Sequence, residues 1–258
     1  MEFCTLASGS SGNAIFVRSE TTAIMIDAGI SAKRLTESLL SLSVTPDELS
    51  AILITHEHSD HIGGLPVFTK KCPARVMASI GTSPCLKVAS TPFEIGDRFT
   101  VGDLDIRTFS TSHDAADSVG YRIDCDGASL GVLTDTGFVT NEAKEWLLGV
   151  DALILEANYD SEMLQNGPYP AMLKRRIASR HGHLSNKDCA AFALLCVKNG
   201  TNDILLAHLS AENNTPDTAA YTVGRALQGY PVRLGVAPRS TVSEVHICKK
   251  SPSFALEN

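Results

Sequence analysis

The chain has 258 residues, 43% hydrophobic and 20% charged, with a formal net charge of −7. That length allows one or two domains with an ample core, and no apolar run is long enough to span a bilayer. An acidic balance argues at first sight against a nucleic-acid partner, because phosphate binding draws on Lys and Arg. The start, Met1-Glu2-Phe3-Cys4-Thr5, has neither a basic nor an apolar leader region, so secretion is not signalled. The seven cysteines are scattered and never spaced as CxxC, which fits a reduced, cytoplasmic compartment in which they serve as small buried hydrophobes.

Taken in order, strand-like runs at residues 3 to 8 and 14 to 18 flank Ser8-Gly9-Ser10-Ser11-Gly12-Asn13, which reads as a tight hairpin connection. It is no Walker loop, since the Gly-Lys-Ser/Thr ending is missing. Ala23-Ile24-Met25-Ile26 is a second strand and ends in Asp27, an acid placed to cap a helix, bind a ligand or support neighbouring ligands. Helical spacing follows from Ser31 to Leu42, with Leu35, Leu39, Leu40 and Leu42 as the expected buried stripe and Pro46 closing the connection.

The continuous apolar run Ala51-Ile52-Leu53-Ile54 then leads into Thr55-His56-Glu57-His58-Ser59-Asp60-His61, which holds three of the eight histidines. His56 and His58 leave an extended segment on the same side and can bind one ion jointly, while Glu57 between them projects away. Asp60 and His61, carried on a turning loop, point towards a second, neighbouring position. Imidazole suits zinc, iron or copper, and a carboxylate suits zinc, iron or manganese.

Further strands are expected at Arg75–Ala78, Phe99–Val101, Asp105–Phe109, Val119–Asp124 and Ser129–Leu133. His113 follows the third of these and Asp135 the last. Ala152-Leu153-Ile154-Leu155 ends in Glu156. From Met163 to Lys187 there is no acid, but there are Lys174, Arg175, Arg176, Arg180 and Lys187. This stretch leads to His181, expected at the surface, and to His183. Ser185 is the expected N-cap of a helix over Asp188–Lys198. Asp203–Ala207 delivers His208, a helix is expected over Thr218–Gln228, and a final strand over Val242–Cys248 with His246 as an ordinary strand residue. Asp27, His56, His113, Asp135, Glu156 and His208 thus all follow strand-like runs, and a shared rim explains this more economically than six independent caps and turns. The chain is expected to form one domain.

These residues carry a resemblance. His56-Glu57-His58-Ser59-Asp60-His61 resembles the HxHxDH signature of the metallo-β-lactamase fold superfamily, with His113, Asp135 and His208 in the order of its remaining ligands and Asp27 as its supporting acid. Within it the chain looks most like the YycJ/WalJ exonuclease branch, through Leu6–Asn13, Leu155-Glu156-Ala157-Asn158, Gly182-His183-Leu184-Ser185-Asn186 and His208-Leu209-Ser210 with Asn213-Asn214. The resemblance implies a four-layer αβ/βα sandwich of the α/β class and two divalent metal ions, zinc or manganese. One ion would be held by His56, His58 and His113, the other by Asp60, His61 and His208, with Asp135 bridging. Such ions would offset the acidic balance where a phosphate binds. The implied activity is a phosphodiesterase using a hydroxide held between the ions, a 5′-to-3′ DNA exonuclease. Asp60 and His183 are its expected catalytic residues, His183, Ser210 and Asn13 contact substrate, and Asp27 and Glu156 support. The alternative is a metallo-hydrolase of a small cyclic phosphodiester, thioester or lactone. No membrane partner is expected.

Overall fold

In the computed structural model, which describes residues 1–250, the apolar runs become strands of two seven-stranded sheets. The first contains β1 (Glu2–Ala7), β2 (Ala14–Arg18), β3 (Ala23–Ile26), β4 (Leu49–Leu53), β5 (Arg75–Ser79) and β6 (Thr91–Phe93), with β14 (His246–Ile247) outside β1. The second runs in spatial order from β7 (Arg98–Val101) through β8 (Leu104–Ser110), β9 (Val119–Cys125), β10 (Ala128–Leu133), β11 (Ala152–Glu156) and β12 (Asp203–Ala207) to β13 (Arg233–Val236). Both sheets begin antiparallel and turn parallel, the first from β3 onward and the second from β10 onward.

Parallel neighbours need crossovers, and helices supply them. α1 (Ala32–Ser41) joins β3 to β4, and the single-turn helices α2 (Ser59–Ile62) and α3 (Leu65–Phe68) lie between β4 and β5. α4 (Asn141–Leu147) joins β10 to β11. Between β11 and β12 come the short α5 (Ser161–Asn166) and α6 (Ala171–Ile177), then α7 (Asn186–Lys198), and α8 (Pro216–Ala226) links β12 to β13.

Strands covered on both faces must be apolar on both, which is why these runs are continuous. Ile24, Ala51, Leu53, Leu130, Ile154 and Leu205 point between the sheets, while their neighbours Met25, Ile52, Leu153 and Leu206 point outward under helices. The layers are therefore helix, sheet, sheet, helix: a four-layer sandwich. Tyr121 crosses the inner layer, its hydroxyl donating to Ile54 O at 2.6 Å. His246 is more than a strand residue: fully within the core, it stacks on Phe3 and places Nδ1 2.8 Å from Asp203 Oδ2, latching β14 to β12 of the other sheet.

Several expectations change. Leu40 is 53% exposed, because one step beyond Leu39 rotates a side chain about 100° off the buried face that Leu35 and Leu39 share. The expected strand over Val242–Cys248 contracts to two residues, and the last helix begins at Pro216, whose missing N–H costs nothing in a first turn. Helices α4, α5 and α6 were not expected, being too short to show a periodicity. Ser185 does cap α7, accepting from Asp188 N.

Candidate metal centre

The first sheet's share is organised by Thr55. Its backbone N–H and its hydroxyl donate to the two oxygens of Asp27, each at 2.8 Å. With its proton committed, the hydroxyl oxygen can only accept from the ring nitrogens beside it, His56 Nδ1 at 3.0 Å and His61 Nδ1 at 3.2 Å; His61 Nδ1 also lies 2.7 Å from Asp27 Oδ2. Both rings are thereby held with Nδ1 protonated on this side. Asp60 and His61 stand on α2 rather than on a loop, and His58 occupies its N-cap position without a side-chain capping bond. Gly29 lets this turn approach closely: a Cβ there would fall 1.7 Å from Asp60 O.

Strand ends supply the rest. His113, beyond β8, places Nδ1 3.0 Å from Gly182 O. Asp135 follows β10 and His208 follows β12. Glu156, at the end of β11, is fully buried and accepts on every side: His183 Nδ1 at 2.8 Å and His208 Nδ1 at 2.9 Å on Oε1, Thr136 N at 2.9 Å and Leu184 N at 3.2 Å on Oε2. Asp27, Asp135 and His208 all have left-handed backbone (φ 61°, 52° and 57°), three of the five described non-glycine residues that do. Such a conformation persists only where its surroundings enforce it, and it clusters at functional sites.

The side chains converge. Ligand atoms of His56, His58 and His113 lie within 4.8 Å of one another, as do those of Asp60, His61 and His208. Asp135 stands between the groups, Oδ2 3.3 Å from His61 Nε2 and Oδ1 3.7 Å from His113 Nε2. His56 Nε2, His208 Nε2 and Asp135 Oδ2 are buried with no hydrogen-bond partner. Buried polar atoms are nearly always satisfied, so three orphaned nitrogen and oxygen atoms within these donor groups fit a cation. The donor chemistry fits as well, since histidines whose other nitrogen is fixed by a carboxylate or carbonyl are oriented as metal ligands are.

The two groups differ electrostatically. Burial, with the rings of His61, His113 and His58 around it, pushes His56 well below the usual imidazole range, so it is neutral. Burial acts the same way on His61 and His208, but carboxylates overcome it: Asp135 and Asp27 raise His61 to about 10, and Asp135, Asp60 and Glu156 raise His208 well above its ordinary value. Burial opposes ionisation of Asp60 and Glu156, but His208 and His61 outweigh it to hold Asp60 ionised, and His183 and His208 do the same for Glu156. One end is a cluster of imidazoles and the other an excess of negative charge.

A groove of about 250 Å³ opens over this centre. His58, Asp60, His113, Asp135, His183 and His208 line it, together with Ser10, Asn158, Ser210 and, from the helical segment, Tyr169, Leu173, Arg176 and Ile177. His183 commits Nδ1 to Glu156, which leaves Nε2 as its free nitrogen. Ser210 faces the groove, although its hydroxyl accepts from Asn213 N at 3.2 Å. Asn13 does not line the groove. Its carboxamide is buried between Gly9 N and the Asp60–His61 turn, with Nδ2 3.1 Å from His61 Nε2, so it braces that turn, and Ser10 takes the place at the lip. His181 is exposed, as expected. Glu57 turns away to accept from Ala116 N at 2.8 Å.

A family model, the beta-lactamase superfamily domain, matches residues 22–208. The chain belongs to that superfamily. It is 39% identical over 245 residues to exodeoxyribonuclease WalJ of Streptococcus pneumoniae serotype 2, covering 91% of each chain. To exodeoxyribonuclease YycJ of Bacillus anthracis it is 36% identical over 236 residues, covering 88% of this chain and 89% of the relative. Among solved structures, the metallo-beta-lactamase fold protein YhfI of Bacillus subtilis superposes with a TM-score of 0.73 at 15% identity, over 94% of this chain and 98% of that one.

The parts of the site that the sequence did not announce lie around the His/Asp cluster. Thr55 fixes two rings, Asn158 holds the His208 loop by donating to His208 O at 2.8 Å, and Tyr169, Leu173 and Asp114 shape the groove. Thr55 had a signal, a hydroxyl directly before the first histidine at a strand end; the groove wall had none.

Proposed function

We propose that this chain is a metal-dependent exodeoxyribonuclease that removes nucleotides from a DNA end in the 5′-to-3′ direction, its residues serving one site as a single domain. The observation that carries this reading is the pair of three-residue donor groups with Asp135 in reach of both. In it, His56, His58 and His113 would hold one divalent ion and Asp60, His61 and His208 the other, with Asp135 in reach of both; zinc would suit the imidazole end and manganese the carboxylate end. Such ions would supply positive charge for the phosphate and lower the pKa of a bound water. Asp60, held ionised, orients and accepts from the attacking water. His183, steadied by Glu156 through Nδ1, donates from Nε2 to a non-bridging phosphate oxygen or to the leaving oxygen. Ser10 and Ser210 offer hydroxyls to the backbone at the lip of the groove. The relatives named as exodeoxyribonucleases across nine-tenths of the chain support a DNA substrate over a small ester. No helix among the described residues is long and apolar enough to cross a membrane, and we place the protein in the cytoplasm.

The reading is tested by digesting linear DNA labelled at either end, with zinc or manganese added, beside small cyclic phosphodiesters, thioesters and lactones. Mononucleotides should appear first from the 5′ end. Turnover confined to the small substrates would replace the nuclease reading with the hydrolase alternative.

A further inference from the structure

The groove is not open on all sides. Several contacts join the loop after β8 to the segment that leads from α6 to His183, three of them short. Ser112 Oγ donates to Arg180 O at 2.7 Å, His113 Nδ1 lies 3.0 Å from Gly182 O, and Arg176 Nε donates to Asp114 Oδ2 at 2.6 Å. They run without a gap from a buried candidate ligand to the surface, where Arg176 is 60% and Asp114 32% exposed. The outermost stitch is thus an ion pair with both partners on the groove wall. On the other flank the structure is different: among the described residues no hydrogen bond or ion pair joins Ser10 to the helical segment.

That segment also has an unusual surface. Tyr169, Leu173 and Ile177 line the groove and rest on a small hydrophobic cluster of their own with Tyr159 and Leu164, separate from the three large cores. An aromatic ring and two aliphatic side chains facing a phosphate-handling centre match the apolar face of a nucleobase, which stacks on such surfaces whatever its identity. About 250 Å³ leaves no room for a duplex.

We propose that the Arg176–Asp114 stitch makes the groove a blind pocket that admits one terminal nucleotide of a strand, its base against Tyr169 and Leu173, so that a free end is required for cleavage. This deepens the nuclease reading and rests on it. Arg176 is then a positioning residue that acts as a stop, and the acid-free stretch from 163 to 187 is partly neutralised where it meets the site rather than being a continuous phosphate track.

The test compares linear single-stranded DNA with a covalently closed circle of the same sequence, using the metal-loaded full chain. Wild type should cut the linear strand and leave the circle intact. Arg176→Ala, and Arg176→Glu, which sets two carboxylates against each other, should each raise the ratio of circle to linear turnover at least about tenfold, equivalent to removing about 1.4 kcal/mol of barrier to entry. Tyr169→Ala should raise KM about tenfold, Tyr169→Phe should restore it, and a terminal abasic nucleotide should remove the difference between Tyr169→Ala and wild type. An unchanged ratio in both Arg176 variants overturns the stop, and a wild type that cuts the circle as readily as the linear strand overturns the blind pocket. An abasic end that leaves the Tyr169→Ala defect intact overturns the base site. If wild type digests neither DNA with either metal, the nuclease reading itself fails and this inference goes with it.

Discussion

The first sheet delivers its share of the centre on one continuous stretch, Thr55 to His61, whereas the second delivers His113, Asp135, Glu156 and His208 from four separate strand ends. The first is braced locally, by Asp27 reaching one neighbouring strand and holding Thr55 and His61 together. The second has no such continuity, and Glu156 substitutes for it. One buried carboxylate holds two rings and two backbone N–H groups from the segments that follow β10, β11 and β12. Contiguous ligands need one local brace; dispersed ligands need a hub.

That contrast ranks the expected effects. Asp135→Ala, which removes the carboxylate standing between the two halves, should lower DNA turnover by at least about 10²–10³-fold and reduce metal content measured by elemental analysis. Glu156→Gln should cost about 10–100-fold in activity or metal affinity, and more than Asp27→Asn in the same assay, because it disturbs two rings rather than one site of bracing. Equal losses would dissolve the distinction between hub and brace. Tyr121→Phe deletes the hydroxyl that ties β9 to the end of β4 and should lower stability by about 1 kcal/mol, visible as a small drop in Tm with turnover little changed. The mildest change is expected on α6: Lys174→Glu and Arg175→Glu should weaken DNA binding and reduce its salt slope by about one each, read from affinity titrations at several salt concentrations.

Much of the centre was legible in the residues because its local causes are local. A buried strand followed by His56-Glu57-His58-Ser59-Asp60-His61 states its own chemistry, and the recurrence of Asp or His after apolar runs pointed to the shared rim that the sheets in fact form. Other features depend on what lies across space. Asn13 was expected at the substrate, yet a small polar loop gives no sign of which side it will bury, and here it folds onto Asp60 and His61. In the wall of Tyr169, Leu173 and Ile177, the last two sit on a helix of seven residues, too brief for a periodic signal, and Tyr169 lies in the bend before it. Arg176 read as one cation in a basic stretch, and only the fold sets it against Asp114, 62 positions earlier. Leu40 failed for a simpler reason, since a helix buries a stripe and not every leucine it carries.

The most direct test of the account strips the protein of metal, confirms this by elemental analysis, and follows digestion of end-labelled linear DNA as zinc or manganese is returned. Turnover should vanish in the stripped protein, return in step with metal bound at the His/Asp cluster, and stay absent in Asp135→Ala at the same metal concentrations. Full digestion by the stripped protein, or by the variant, would contradict it.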